Sequence, residues 1–332
     1  YGPIFDNGAV LGGYAHYAPT FNVIWDEGGT FGLTTTYMDL TATDYYGDVN
    51  DPFSDKHMVM QTYTYRPNEW AQFEFLQSIV YGQRFDLTYF VPFSFLFYNQ
   101  NLTGYEDNSF MGLSMALDLP ANVGFNSVLY IDDAHFNDLI RGNIETMFKA
   151  AIQSEVTWTP MSEYVRRVSL DYLAITPYTY SHKSDRFSDD SGYPTGTADY
   201  PTWLEENANY LNYTTYGDPL GAVLDPNSDR LTLKYSARPL PQLDVNLIGR
   251  MIRHGNPSED EVEDPGFYTG YNDGTIYDDG YDENEDHSFK EFKFLTQDTL
   301  EYTFVGGFDL AYTFDFSPSR LSLLLGYRLE HI

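Results

Sequence analysis

The chain has 332 residues, room for a large core, and sets 49 Asp and Glu against 18 Lys and Arg, a net charge of −31. That balance excludes nucleic acid as a partner, since phosphate needs a basic face; it suits a surface that repels like charge or gathers divalent cations. The absence of Cys excludes disulfides, zinc–thiolate sites and cysteine catalysis, and the negative mean hydropathy, with no run of 18 apolar residues, excludes helical membrane spans.

Tyr and Phe are abundant, 30 and 24 residues, and a Cys-free chain suits passage through an oxidising periplasm. The chain begins at Tyr1 and shows no signal peptide, which reads as a processed or partial product.

In chain order, TFGLTTTYM (30–38) and WAQFEFLQS (70–78) alternate as strands do. A stronger run follows, with Met111, Leu113, Met115, Leu117 and Leu119 between Gly112, Ser114, Ala116 and Asp118, and then GFNSVLYI (124–131). From His135 to Ala151 the spacing turns helical, with apolar residues at Phe136, Leu139, Ile140, Ile144, Met147 and Ala151. Asp132 or Asp133 could cap that helix, which would pack on a barrel rim or plug its opening. VRRVSLDYL (165–173) returns to period two, as do Leu231–Ala237, Leu243–Met251 and the last two runs, Phe308–Phe316 and Leu321–Leu329.

Each run is about eight to ten residues, long enough to cross a bilayer when tilted. Short Pro-containing turns, RPLPQ (238–242) and SPS (317–319), contrast with long polar connections at 181–229 and 254–288. Short turns on one side and long loops on the other are the habit of an outer-membrane barrel. A soluble sandwich also alternates, but its polar residues would face outward. The expectation is therefore an all-β fold, a transmembrane antiparallel β-barrel forming one domain over 1–332, with a short helix near 135–151. Its greasy face meets lipid and lipopolysaccharide, and its polar face lines the lumen.

The loop 254–288 holds twelve Asp or Glu and no Lys or Arg, interleaved with Tyr268, Tyr271, Tyr277 and Tyr281. Flat rings stack on pyranose faces and carboxylates accept hydroxyl hydrogen bonds, so these tyrosines are candidate sugar contacts. The other reading is a solvated acidic loop. Weak Ca²⁺ binding is expected of such a loop, though DDGYDENED (278–286) lacks the spacing of a tight calcium site. In 181–229, Trp203 and Tyr216 belong to an aromatic set that folds into the lumen or binds sugar. Asp132 and Asp133 make a poor catalytic pair because adjacent strand residues point to opposite faces. No HExxH, GxSxG or phosphate loop occurs, so no enzyme and no resident metal or cofactor is expected.

Several local patterns then occur in a fixed order: Tyr81, Gly82 and Arg84; Pro92; Asp107, Asn108 and Gly112; Asp132 and Asp133; Pro177, Tyr178, Tyr180 and His182; Pro219, Leu220 and Gly221; and Asp225 through Asp229 and Arg230. This ordered set, over roughly 75–255, resembles the capsule-assembly Wzi family of bacterial outer-membrane proteins. YGPIFDNGAVLGGYAHYAPTFNVI (1–24) looks like that family's early Gly-Pro strand. The resemblance implies a barrel of 16–18 strands in a longer chain, with small helices blocking the periplasmic end. It also implies a polysaccharide partner and a role in attaching capsule or exopolysaccharide at the cell surface. The rival expectations are a porin-like channel for small solutes and a barrel subunit of a larger envelope complex with protein partners.

Overall fold

The computed structural model describes residues 8–13, 16–43, 53–103, 107–134, 148–180, 210–255, 294–296, 300–316 and 319–331. The alternating stretches become strands: β1 (Thr20–Glu27), β2 (Phe31–Ala42), β3 (Phe53–Asn68), β4 (Ala71–Gly82), β5 (Asn108–Leu119) and β6 (Val123–Ala134). They continue as β7 (Phe148–Trp158) and β8 (Val165–Ile175), then a small pair, β9 (Thr214–Thr215) and β10 (Asp218–Pro219). The last four are β11 (Ser228–Leu240), β12 (Leu243–Gly255), β13 (Leu300–Phe316) and β14 (Ser319–His331). One antiparallel sheet of 12 strands results, each strand paired with the next and β8 paired with β11; β9 and β10 form a hairpin apart from it.

The connections divide by length. At one end of the sheet lie short connections, 28–30, 69–70, 120–122, 159–164 and 241–242, and β14 begins at Ser319, three residues after β13 ends at Phe316. In the first, Gly28 and Gly29 adopt φ of 62° and 79°, and the Asp26 carboxylate accepts the Gly29 amide at 2.7 Å. At the other end, successive strands of the sheet are separated in sequence by longer stretches, 43–52, 83–107, 135–147, 176–227 and 256–299.

The two faces are inverted relative to a water-soluble sheet. Leu40, Met58, Met60, Leu76, Val80, Phe110, Val128, Tyr130, Leu173 and Ile175 form one buried cluster with residues of the segments 8–13 and 210–224. A single cluster spanning β2 to β8 must lie on the concave face. Towards the tight turns, that inner face becomes polar, with Arg66, Glu74, Glu155, Arg167 and Asp309. The residues between, on the outer face, are apolar and exposed: Leu113, Ile152, Val156, Leu170, Leu233, Leu247, Leu323 and Leu325. Three of the four Trp, at 25, 70 and 158, stand exposed near the tight-turn end, where aromatic rings of a membrane barrel meet headgroups. Outer-face charges such as Asp39, Asp229 and Arg253 sit near the opposite rim.

One expectation needs correction. Residues 148–151 are the start of β7, with Ala151 opposite Ile175, and not the end of a helix; 135–147 lie outside the described residues. Asp132 is a strand residue whose carboxylate accepts the Tyr180 amide at 2.6 Å; the helix start that Asp132 or Asp133 is expected to cap lies outside the described residues. The helical turns that are described lie elsewhere: a 3₁₀ turn at Leu87–Phe90, α1 (Leu96–Thr103), and a 3₁₀ turn at Pro120–Asn122.

Candidate functional site: the filled mouth

At the long-connection end two segments, 8–13 and 210–227, pack on the concave side of β2–β8. They cross-brace each other, since the Gly12 amide donates to Leu220 O at 2.7 Å. The walls hold them with side chains. Asn108 Nδ2 donates to Leu211 O at 3.0 Å, Lys56 Nζ to Thr214 Oγ1 at 3.1 Å, and the Ala9 amide to Gln153 Oε1 at 3.1 Å. The Tyr216 amide reaches Thr41 O at 2.9 Å. A segment without regular structure must find partners for its buried backbone groups, and here β2, β5 and β7 supply them, while Lys56 of β3 holds the Thr214 hydroxyl.

The centre of this plug is aromatic. Phe110 and Tyr130 stack at 5.2 Å, and Tyr213 lies 4.7 Å from Phe110 and 5.4 Å from Tyr180. Each hydroxyl has a partner: Tyr130 with Ser78 Oγ, Tyr213 with Val10 O at 2.6 Å, and Tyr180 with Ala9 O. Burial, with the neighbouring Tyr213 and Asp132, pushes the Tyr180 phenol well above its ordinary range; burial and Tyr130 do the same to Tyr213.

Most of the motif residues meet here, each with a physical task. Gly82 and Gly221 are places of close approach: a Cβ on Gly82 would lie 2.4 Å from the Tyr210 ring, and one on Gly221 2.8 Å from the Tyr180 hydroxyl. Leu220 is fully buried in the plug; Pro219 opens it from β10, opposite Thr214. Arg230 points inward and reaches Asp171 at 3.4 Å, and Asp171 accepts from Gln153 Nε2 at 2.8 Å. Asp229 faces outward, gripped by both arms of Arg253 and by the Tyr172 hydroxyl at 3.0 Å. Asp107 lies away from the plug; it takes both arms of Arg84 and the Tyr89 hydroxyl, closing the base of the 83–107 connection. Burial works against the Arg84 charge, but the Asp107 hydrogen bonds outweigh it and hold the guanidinium above its usual value.

Of the candidate sugar contacts, Tyr216 is described. It sits at the tip between β9 and β10 in a left-handed conformation, φ 51°, partly exposed. Its ring lies 5.4 Å from that of His16, and His16 Nδ1 lies 2.5 Å from Asp218 Oδ2. This exposed ring, imidazole and carboxylate form a small polar–aromatic surface on top of the plug. Trp203, Tyr268, Tyr271, Tyr277 and Tyr281 lie outside the described residues, as do His182 and the side chain of Asp133. Among the described residues no three His, Asp or Glu gather as cation ligands. No sequence pattern marks His16 or Asp218, which come together only when 16–18 meets β10.

No protein-family model matches the chain, and no curated protein matches it. Among solved structures it is similar to Wzi of Escherichia coli, described as an outer membrane protein involved in group 1 capsule assembly and a carbohydrate-binding β-barrel. That likeness has a TM-score of 0.51 at 12% identity and covers 100% of this chain. This chain spans 62% of the length of that one. It is also similar to OccK8 (OprE) and OccK5 (OpdH) of Pseudomonas aeruginosa, with TM-scores of 0.43 and 0.41, both at 10% identity. Those two alignments cover 95% and 99% of this chain and 71% and 76% of the others. The first likeness shows the fold: that of an outer-membrane β-barrel.

Proposed function

We propose that this protein is a non-enzymatic barrel of the bacterial outer membrane that holds cell-surface polysaccharide at its long-connection mouth, helping to attach capsule or exopolysaccharide. The observation that carries this reading is the filled mouth. A buried aromatic plug braced to four strands favours anchoring over conduction. Above it, Tyr216 offers a flat face for a pyranose ring, while Asp218 and His16 offer hydrogen-bonding groups to its hydroxyls. Trp203 and the tyrosines of 254–288 would extend that surface, and the carboxylates among them would bind calcium weakly. The likeness in fold to a carbohydrate-binding barrel supports the same reading.

The second reading is a small-solute channel. It is favoured by the inner wall of the tight-turn half, where charges of both signs face each other, such as Arg167 with Glu155.

One experiment separates them. Purified protein is incubated with envelope polysaccharide, with and without EDTA, and tested for conductance in planar bilayers. Binding that falls on Tyr216→Ala, on Asp218→Ala or on deletion of 256–288 supports the first reading. Ion conductance without any glycan capture establishes the channel instead.

A further inference from the structure

From Leu87 to Thr103 the sequence runs LTYFVPFSFLFYNQNLT, 17 residues without one charge, in a chain where one residue in five is charged. This stretch does not stand above the barrel. It folds back along the outer wall of β3 and β4. Tyr89 and Leu96 are buried against Val59, Ile79 and Tyr81, which alternate with the inward-facing Met58, Met60 and Val80 and so lie on the lipid side.

Beyond His57 near the rim, Gln61 and Gln77 interrupt the apolar outer face on these strands. Both serve the folded-back stretch. Gln61 Nε2 donates to Tyr89 O at 3.1 Å and Val91 O at 3.0 Å. Gln77 Nε2 donates to Ser94 O at 2.6 Å, and its Oε1 accepts from the Leu96 amide at 3.1 Å. The Tyr63 hydroxyl accepts the Phe93 amide at 3.1 Å. Irregular backbone survives at membrane depth only where protein satisfies its polar groups. Here the wall does so, and the clasp of Arg84 on Asp107 closes the loop at its base. The side chains that turn away from the wall are large and apolar: Phe85, Leu87, Phe93, Phe95 and Tyr98 are all at least 60% exposed. They continue the lipid band sideways, with Phe95 6.3 Å from Phe75 and Phe93 5.7 Å from Tyr63.

We propose that Phe85–Tyr98 is a lipid-binding foot, laid against the outside of the barrel and seated in the acyl chains just below the headgroups of the leaflet at the long-connection end. The occupant is lipid because the surface is aromatic and continuous with the bilayer-facing wall, and its one charged side chain, Asp86, is taken up by Arg84 at 3.6 Å and the Thr88 amide at 2.9 Å; rings of this kind settle at that depth. The inference rests on the reading of the barrel as membrane-spanning, but not on sugar binding.

The chain has no Cys, so single cysteines can be introduced cleanly. Phe93→Cys and Phe95→Cys would each carry a nitroxide in phosphatidylcholine vesicles, beside Leu113→Cys for the lipid band and Tyr17→Cys for water. Collision with oxygen, which partitions into lipid, is compared with collision with a water-soluble nickel chelate. The expected oxygen-to-nickel ratio at 93 and 95 is several-fold above that at 17 and close to that at 113. A ratio at 93 and 95 like that at 17, with 113 still in lipid, overturns the foot alone. Low access to both reagents, with spin–spin broadening, overturns it in favour of contact with a second copy. Nickel access at 113 itself sinks the membrane-spanning reading and the foot with it. Gln61→Leu with Gln77→Leu is expected to free the label at 93 and narrow its spectrum; an unchanged spectrum overturns the stapling.

Discussion

At the scale of single residues, the plug depends on places where a side chain would not fit. Gly221 is the clearest: a methyl there meets the Tyr180 hydroxyl at 2.8 Å and the Ala9 carbonyl at 2.9 Å. The hydroxyl cannot retreat without leaving Ala9 O, and the carbonyl is main chain. Overpacking of this kind costs about 1–3 kcal/mol. Gly221→Ala should therefore lower the thermal unfolding midpoint in detergent. Gly249→Ala is the control, because nothing lies within 4 Å of its added Cβ. Equal midpoints for the two variants would show that the interior segments are not held as described. The physics also explains why the glycines of the ordered motifs were visible in the sequence while their purpose was not. A glycine announces a close approach but not which ring approaches.

At the scale of elements, the plug behaves as one unit, because Tyr180 and Tyr213 each tie it to the carbonyls of residues 9 and 10. Both phenols are raised above 10.0 chiefly by burial. A raised acid is protonated in both folded and unfolded states below pH 10, so stability is unaffected there. Above about pH 10 the unfolded chain loses protons that the folded one keeps, and stability falls. The plug should loosen in that alkaline window, seen as faster hydrogen exchange at the Gly12, Tyr213 and Leu220 amides. In Tyr180→Phe with Tyr213→Phe the fall above pH 10 should be shallower, although each lost hydrogen bond costs about 1 kcal/mol at every pH. An identical slope would remove these phenols from the account. Strands such as β5, β11 and β14 were legible because one face alternates strictly, and a wrong register would put Leu113 or Leu323 in the lumen. β7 was misread at its start because Ala150 and Ala151 are small on both faces and Ala151 extends a helical spacing begun upstream. The 83–107 connection was invisible to periodicity. Its apolar residues follow the shape of the wall, and only the charge-free run 87–103 and the stray Gln61 and Gln77 betray it.

At the scale of the molecule, the decisive property is the inversion of faces. Leu113 and Ser114 are neighbours in β5, yet the leucine is 61% exposed while the serine is buried and bonds Glu74 at 2.8 Å. In water, an exposed sheet of Leu, Val and Phe on one side and a polar interior on the other would be the wrong way round. In a bilayer the arrangement satisfies both solvents, and the tight-turn and long-connection ends supply the two polar boundaries. The consequence can be measured by substituting the same residue on each face. Leu113→Arg places a charge on the lipid side near mid-wall and should cost about 2–4 kcal/mol in folding into phosphatidylcholine vesicles, read by urea titration. Asn126→Arg, on the inner face opposite Ala116 and Glu155, should cost less than about 1 kcal/mol, since lumen substitutions tune selectivity more than stability. A water-facing Leu113 would give a change within about 0.5 kcal/mol. That result would reverse the assignment of solvent to the two faces, because exposure of leucine is then only surface and the polar lumen only a core with unusual hydrogen bonding.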